Sequence, residues 1–165
     1  MIKILRGDIT SQTTVAIVNA ANTHLISGGG VCGAIHSVAG PELEEECRKI
    51  GDCPTGEARI TDSYNLPCKY VIHAVAPRYG DGTRGESELL HRCYKSIYSL
   101  AKEHRIESIS IPAIGTGIYR YPIKEATEIA FNTTLAVQEK QDLSVEFVCF
   151  DENTATVYEE TYRRR

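Results

Sequence analysis

No stretch of eighteen consecutive apolar residues occurs in this chain, which argues against a membrane-crossing helix. The opening residues MIKILRGDIT hold neither an apolar core nor a small-residue cleavage site, so they read as a strand rather than a leader. The expectation is a cytoplasmic protein. No C-x-x-C pair is present either: Cys32, Cys47, Cys53, Cys68, Cys93 and Cys149 lie scattered. They are expected as reduced thiols, several on apolar faces, rather than as a disulfide framework.

Positive charge is in short supply. A formal net charge of −4 and a pI near 5.7 argue against binding along a phosphate backbone, so nucleic acid is not an expected partner. The one basic cluster, Arg163, Arg164 and Arg165, reads as a solvated tail. A small phosphate ligand is another matter, because backbone N–H groups hold one without any excess of Lys or Arg. Internal repeats, linkers and low-complexity runs are missing too, and 165 residues suit one compact domain spanning 1–165. With 42% hydrophobic and 24% charged residues, the chain can bury a sizeable core.

What is present alternates. Ile2–Leu5 and the β-branched run Val15–Ala20 read as strands, the second buried. Val31–Ala39 reads as a short helix opened by glycines, and Pro41 introduces another over Glu42–Ile50. Glu57–Thr61 and Tyr70–Val75 follow as strands. Leu89, Leu90, Cys93, Tyr94, Ile97, Tyr98 and Ala101 recur at three and four residues, which predicts a helix over Glu86–Glu103. Ser108–Ile111 is a strand that Pro112 should stop. A second long helix follows Pro122, then a strand over Val145–Phe150 and a helix over Glu152–Tyr162. Strands separated by helices imply an α/β fold of three layers, α/β/α, around a mixed, mostly parallel central sheet. In such sheets ligands bind at the carboxyl ends of the strands.

Those ends carry the unusual residues. The first strand ends in Gly7-Asp8-Ile9-Thr10. The second ends in Asn19-Ala20-Ala21-Asn22, followed by Gly28-Gly29-Gly30-Val31-Cys32-Gly33. The Ser108–Ile111 strand ends in Pro112-Ala113-Ile114-Gly115-Thr116-Gly117-Ile118-Tyr119, and the last in Cys149-Phe150-Asp151. Two glycine-rich loops facing each other suit a diphosphate, since each exposes N–H groups that an anion can approach. Neither loop matches G-x-x-x-x-G-K-[ST] or G-x-G-x-x-G with its distant acid, which weakens ATPase and dinucleotide dehydrogenase readings.

Plainer readings stand beside these. Asp8 suits a turn or helix cap as well as a ligand. Asn19 reads as a side chain bridging backbone at a strand end. Cys32 and His36 lie four apart on one helical face, but two ligands do not make a metal site. His36 is expected to make an ordinary hydrogen bond or to pack near the ligand, and His73 to be a satisfied core histidine. Phe150 suits a stacking surface or the core.

Taken in order, G-D-I-T (7–10), V-N-A-A-N (18–22), G-G-G-V-x-G-A-I-H (28–36), A-G-P (39–41), C-P-T-G-E-A (53–58), I-H-A-V-x-P (72–77) and P-A-I-x-T-G-I-Y-x-Y-P (112–122) resemble the macrodomain family of MacroD type over nearly the whole chain. The resemblance implies ADP-ribose as ligand. Asp8 would accept from the adenine amino group beside the Ile9 backbone, and Phe150 would stack on the ring. Gly28, Gly29, Gly30 and Val31 would wrap the diphosphate with Ile114, Gly115, Thr116, Gly117 and Ile118. Asn22 would bind the distal ribose hydroxyls, and Tyr119 would pack against that ribose. Physics agrees with the first two roles: a carboxylate is acceptor-only, and an aromatic face suits a purine.

The resemblance further implies a mono-ADP-ribosyl hydrolase that cleaves the ester between ADP-ribose and acidic side chains, with Asn22, Cys32 and Tyr119 at the reacting end. O-acetyl-ADP-ribose is a second candidate substrate, mono-ADP-ribosylated proteins are the partners, and no cofactor or metal is called for. Cys32 departs from the pattern, for many such hydrolases carry Asp there to orient the attacking water. A thiol is a weak hydrogen-bond partner in that role. Some viral macrodomains with Cys at that place are nonetheless regarded as hydrolases, and a route in which the substrate's own phosphate positions the water has been proposed. The alternative is a non-catalytic reader of ADP-ribosylated proteins.

Overall fold

The computed structural model describes all 165 residues. Six strands form one sheet: β1 (Ile2–Arg6), β2 (Ala16–Ala20), β3 (Ala58–Asp62), β4 (Tyr70–Ala74), β5 (Ser108–Pro112) and β6 (Ser144–Cys149). Five helices accompany them: α1 (Gly30–Ala39), α2 (Pro41–Ile50), α3 (Glu86–Glu103), α4 (Ile123–Gln138) and α5 (Glu152–Arg163). The order across the sheet is β1-β6-β5-β2-β4-β3. Every neighbouring pair is parallel except β3 with β4. The sheet is therefore mixed and mostly parallel, as the alternation of elements implied.

Period-two side-chain alternation divides the core in two. Ala16 and Val18 of β2, Ile72 and Ala74 of β4, and Val145 and Phe147 of β6 face one side, packed with Leu90, Tyr94 and Ile97 of α3, Ala130 and Phe131 of α4, and Tyr158 of α5. Ile17, Val71 and Val148 face the other, packed with Ile35 and Ala39 of α1 and Leu43 and Cys47 of α2. The result is three layers. All six cysteines are buried free thiols, and all but Cys32 pack in these two clusters.

Local chemistry sets the helix ends. Pro41 opens α2, Glu42 and Glu44 occupy its first turn, and Arg48 and Lys49 its last, each sign matched to the helix dipole. Gly51, at φ 93°, ends it in a backbone conformation that favours glycine. Two expectations need correction. Pro112 does not lie beyond β5 but is its last residue, in register with Val148 of β6. The arginine tail is not wholly solvated: α5 extends to Arg163, and Arg165 donates to the Glu128 carboxylate with its guanidinium over the Phe131 ring. No helix is long and apolar enough to cross a membrane.

The strand order positions the site. From β2 the chain passes to α1 on one face, and from its neighbour β5 it passes to α4 on the other. β2 and β5 pair only through Ala16 with Ile109 and Ile17 with Ser110, and then part. A crevice opens beyond their carboxyl ends, where helices leave the sheet in opposite directions.

Candidate functional site

That crevice holds a cavity of about 730 Å³, within the span of roughly 300–1,000 Å³ typical of small-molecule sites. Gly7, Asp8 and Ile9 after β1, and Val148, Phe150 and Asp151 around the end of β6, form one end. Asn22 after β2 and Ala76 and Arg78 after β4 form the other. The cleft crosses β1, β6, β5, β2 and β4, four strand spacings or roughly 19 Å.

Between the ends, the two glycine loops face each other. Gly28 to Cys32 lead into α1, whose N-cap is Gly29 with no side-chain cap. The first N–H groups of a helix have no partner within it, so those of Gly30, Val31 and Cys32 are free to meet an anion. Gly33 donates back to the Gly29 carbonyl at 3.2 Å. A Cβ on Gly33 would run into the carbonyl oxygen of Gly28, which keeps this turn tight. On the far wall Gly115 has φ +85°, a conformation that favours glycine. Its carbonyl accepts from the Tyr121 N–H at 2.8 Å, and Thr116 Oγ1 donates to the Ala113 carbonyl at 2.9 Å, closing the turn over Gly115-Thr116-Gly117.

At the β6 end Phe150 is 82% exposed although it is a large apolar ring. It lies one residue past β6 as a wall of the cavity, which removes the core reading. Asp8 does cap a short 3-10 turn, Ile9–Ser11: Oδ1 accepts from the Thr10 N–H at 2.9 Å and from the Thr10 hydroxyl at 2.7 Å. Its other carboxylate oxygen makes no hydrogen bond, and the residue lines the cavity. Asp151 caps α5 through Thr154, whose N–H lowers the carboxyl pKa and keeps it charged.

At the β4 end Asn22 folds its own loop. Oδ1 accepts from the N–H groups of His24 and Ile26 at 3.2 Å, and Nδ2 donates to the Ile26 carbonyl at 2.9 Å. Tyr119 is half-buried, and its carbonyl accepts from the Tyr79 N–H at 2.8 Å. Cys32 is buried at 6% exposure on the cavity floor, with Sγ donating to the Ile26 carbonyl at 3.5 Å and accepting from Asn19 Nδ2 at 3.7 Å. The structure brings together every site candidate except Ile114. That side chain is 1% exposed and packs in the core, because the chain turns it inward just before Gly115.

Beneath Cys32 lies a buried polar layer. Asn19 Nδ2 stands 3.0 Å from His73 Nδ1, and Thr61 Oγ1 stands 2.9 Å from His73 Nε2. His73 is thus satisfied in the core, and burial, with His36 nearby, lowers its pKa to about 3. Two expectations are corrected. Asn19 bridges side chains rather than backbone, and its Oδ1 has no partner. His36 makes no hydrogen bond at either nitrogen and does not line the main cavity; its buried ring lies 6.4 Å from that of His73. Burial lowers its pKa, against the opposing charge of Glu44. No group of three or more His, Cys, Asp or Glu side chains is assembled that could hold a metal.

Sequence reasoning missed Arg78, Asp151 and Thr154. Arg78 follows directly on the strand-end motif at 72–77, so the rule that strand ends carry the chemistry would have found it.

Comparison with known proteins gives a consistent picture. The Macro domain family profile matches residues 18–130. A Macro domain-containing protein of Mesorhizobium japonicum is 51% identical, over 95% of this chain and 90% of its own length. An O-acetyl-ADP-ribose deacetylase of Escherichia fergusonii is 46% identical, over 95% and 92%. Among solved structures, a mutant Oceanobacillus iheyensis macrodomain with ADPR superposes at a TM-score of 0.94 with 41% identity, covering 98% of this chain and 91% of that one. A Trypanosoma brucei macrodomain in complex with ADP-ribose superposes at 0.91 with 42% identity, covering 98% and 68%.

Proposed function

The chain belongs to the Macro domain family, and from that membership we propose that it binds ADP-ribose across the cleft and hydrolyses esters at the ligand's distal ribose. The observation that carries this reading is the polarity of the cleft. An exposed aromatic wall and a free carboxylate oxygen stand at one end, two facing glycine loops in the middle, and Asn22 with Tyr119 at the other. Adenine would stack on Phe150 and donate its amino group to Asp8. The diphosphate would accept from the free N–H groups of Gly30, Val31 and Cys32 and from the turn at Gly115-Thr116-Gly117. The distal ribose would then lie between Asn22 and Tyr119.

The substrate would be an ester of the distal ribose: O-acetyl-ADP-ribose, or a protein carrying ADP-ribose on a Glu or Asp side chain. Water adds across the ester bond, and the products are ADP-ribose and a free carboxylic acid. Positioning would supply most of the catalysis, with the hydrogen-bonded glycine turns holding the diphosphate while Tyr119 and Asn22 fix the ribose. The relatives named O-acetyl-ADP-ribose deacetylase support an ester substrate. The whole chain would act as one domain in the cytoplasm.

A second reading, a non-catalytic reader of ADP-ribosylated proteins, is favoured by one observation. Cys32 spends its hydrogen bonds on Asn19 and Ile26, so nothing at that place presents a strong acceptor to water. Calorimetric titration with ADP-ribose, followed by release of ADP-ribose from a glutamate-modified protein and from O-acetyl-ADP-ribose, tests both readings. Binding with no release on either substrate selects the reader. No binding ends both.

A further inference from the structure

Arg78 is the only Lys or Arg among the residues that line the cleft. The anionic side chains there, Asp8 and Asp151, belong to the β1 and β6 ends, so the cleft runs from a negative end to a positive one. The guanidinium of Arg78 lies 5.0 Å from the centroid of the Tyr119 ring, a cation–π contact. No carboxylate stands within ion-pair distance of it.

Its backbone is held as firmly as its head. Ala76, two residues before, is buried, and the Tyr79 N–H donates to the Tyr119 carbonyl at 2.8 Å. The Tyr79 ring meets Tyr121 edge-on at 4.9 Å. The following loop closes on the buried Glu86, whose carboxylate accepts from the N–H groups of Gly80 at 3.0 Å, Gly82 at 2.9 Å and Arg84 at 2.7 Å. These bonds, that of Gly82 foremost, pull the Glu86 pKa down to about 2, so the clasp stays charged.

We propose that Arg78 is a specificity-determining residue that engages carboxylates flanking the modified side chain, so that the preferred protein substrate is an acidic segment. The inference rests on the orientation of ligand given under the proposed function. In that orientation the group esterified to the distal ribose leaves the cleft past Tyr119, where Arg78 waits with its fork unpaired. A guanidinium matches a carboxylate with two parallel N–H donors, and the contact with Tyr119 holds the fork at this mouth. The protein's net charge of −4 would otherwise repel an acidic segment, so a single fixed cation at this mouth decides the sign of the local preference. O-acetyl-ADP-ribose, with no further carboxylate, gains nothing from it.

The test uses peptides that carry ADP-ribose through a stable amide in place of the ester, so that binding is read apart from hydrolysis. One peptide has Glu on both sides of the modified position, the other Gln. The expected result is an affinity about three- to tenfold higher for the Glu-flanked peptide, as an exposed charge-assisted contact gives. Arg78→Gln should bring that ratio to about one, and Arg78→Glu should invert it, with melting temperatures confirming that both variants fold. Raised salt should shrink the wild-type ratio. A ratio of one in the wild type, or a ratio that survives Arg78→Gln, overturns the proposal. So does an equal loss for both peptides and free ADP-ribose, which would assign Arg78 to the nucleotide itself, and so does preference for an ADP-ribosylated oligonucleotide. If no ADP-ribosylated ligand binds at all, it is the proposed function that fails, and this inference with it.

Discussion

Nδ2 of Asn19 lies 3.0 Å from Nδ1 of His73. An amide nitrogen only donates, so Nδ1 accepts, Nε2 carries the proton, and that proton goes to Thr61 Oγ1 at 2.9 Å. The imidazole is therefore neutral in the folded protein, which agrees with a pKa lowered to about 3 by burial. A histidine in the unfolded chain titrates near 6.5. Below that pH the unfolded state binds a proton that the folded state refuses, so stability is complete above about 6.5 and declines as pH falls toward 3.

The expected slope from His73 alone is about 1.4 kcal/mol lost per pH unit through that window. His36, also lowered by burial, adds to it in the same direction. Chemical denaturation at pH 7.5, 6, 5 and 4 measures this, and His73→Gln should flatten the profile. A profile equally steep in that variant would assign the acid sensitivity to carboxylates instead.

Phe150→Ala should weaken ADP-ribose by about 1–3 kcal/mol, the usual worth of stacking a base on an aromatic ring. At 82% exposure the side chain contributes little to the core, so the melting temperature should move by no more than a degree or two. A large fall in melting temperature with unchanged affinity would return Phe150 to a structural role.

Asp8 caps a turn and, under the proposed function, would also accept from adenine, and a single truncation would confuse the two. Asp8→Asn separates them, because an amide oxygen can still accept from Thr10 and hold the turn. Its NH₂ then faces the cleft and would meet the adenine amino group donor to donor. Affinity for ADP-ribose should fall about tenfold or more with the melting temperature preserved. Unchanged affinity would leave Asp8 as a cap only.

How much of this was legible in the sequence depended on whether the signal was local. The alternation of β-branched runs with three-four periodic helices specified the layers, since both periods follow directly from backbone geometry. The glycine loops and Asp8 sit in contiguous motifs, so their convergence at strand ends could be read as well. The antiparallel placement of β3 was not legible, because Ala58–Asp62 is as short as the parallel strands and its direction is set only by its pairing with β4 at the sheet edge. Nor was the inward turn of Ile114, which depends on the rotation of the chain into Gly115. Asn19 and His36 were misjudged for a related reason: their partners, or the lack of them, come from His73, Thr61 and Glu44, brought near only by the fold. Arg78 carries no motif of its own: its place just past a strand end was legible, but its contact with Tyr119 comes only from the fold.

Asn22→Ala should reduce turnover more than affinity. The side chain makes three bonds that fold residues 22–26 against the mouth of the cleft, far from the end where adenine would stack under the proposed function. A kcat lowered about tenfold or more, with ADP-ribose affinity within about threefold, is the expected split. Equal losses would point to collapse of the Gly28 loop, which rests near Asn22.

Cys32 decides between hydrolase and reader. Its thiol lies at the start of α1, donating to the Ile26 carbonyl and accepting from Asn19, and it is buried. If the ligand's own phosphate and the fixed ribose position the attacking water, the thiol contributes only packing, and Cys32→Ala should keep kcat within about threefold. Cys32→Asp should match or exceed the parent, because a carboxylate accepts from water and Asn19 Nδ2 remains in place to receive it. The Ile26 carbonyl would oppose that carboxylate, so a lowered melting temperature is expected alongside the gain. A covalent role predicts the reverse: Cys32→Ala would be inactive and alkylation would abolish turnover. The geometry disfavours it, since Sγ contacts an amide and a carbonyl, and His36 makes no hydrogen bond to it. Release of ADP-ribose from a glutamate-modified protein, measured for the parent and both variants, separates these cases. Should the parent release none while Cys32→Asp does, the chain is a reader whose cleft lacks only the acceptor that a hydrolase carries at this position.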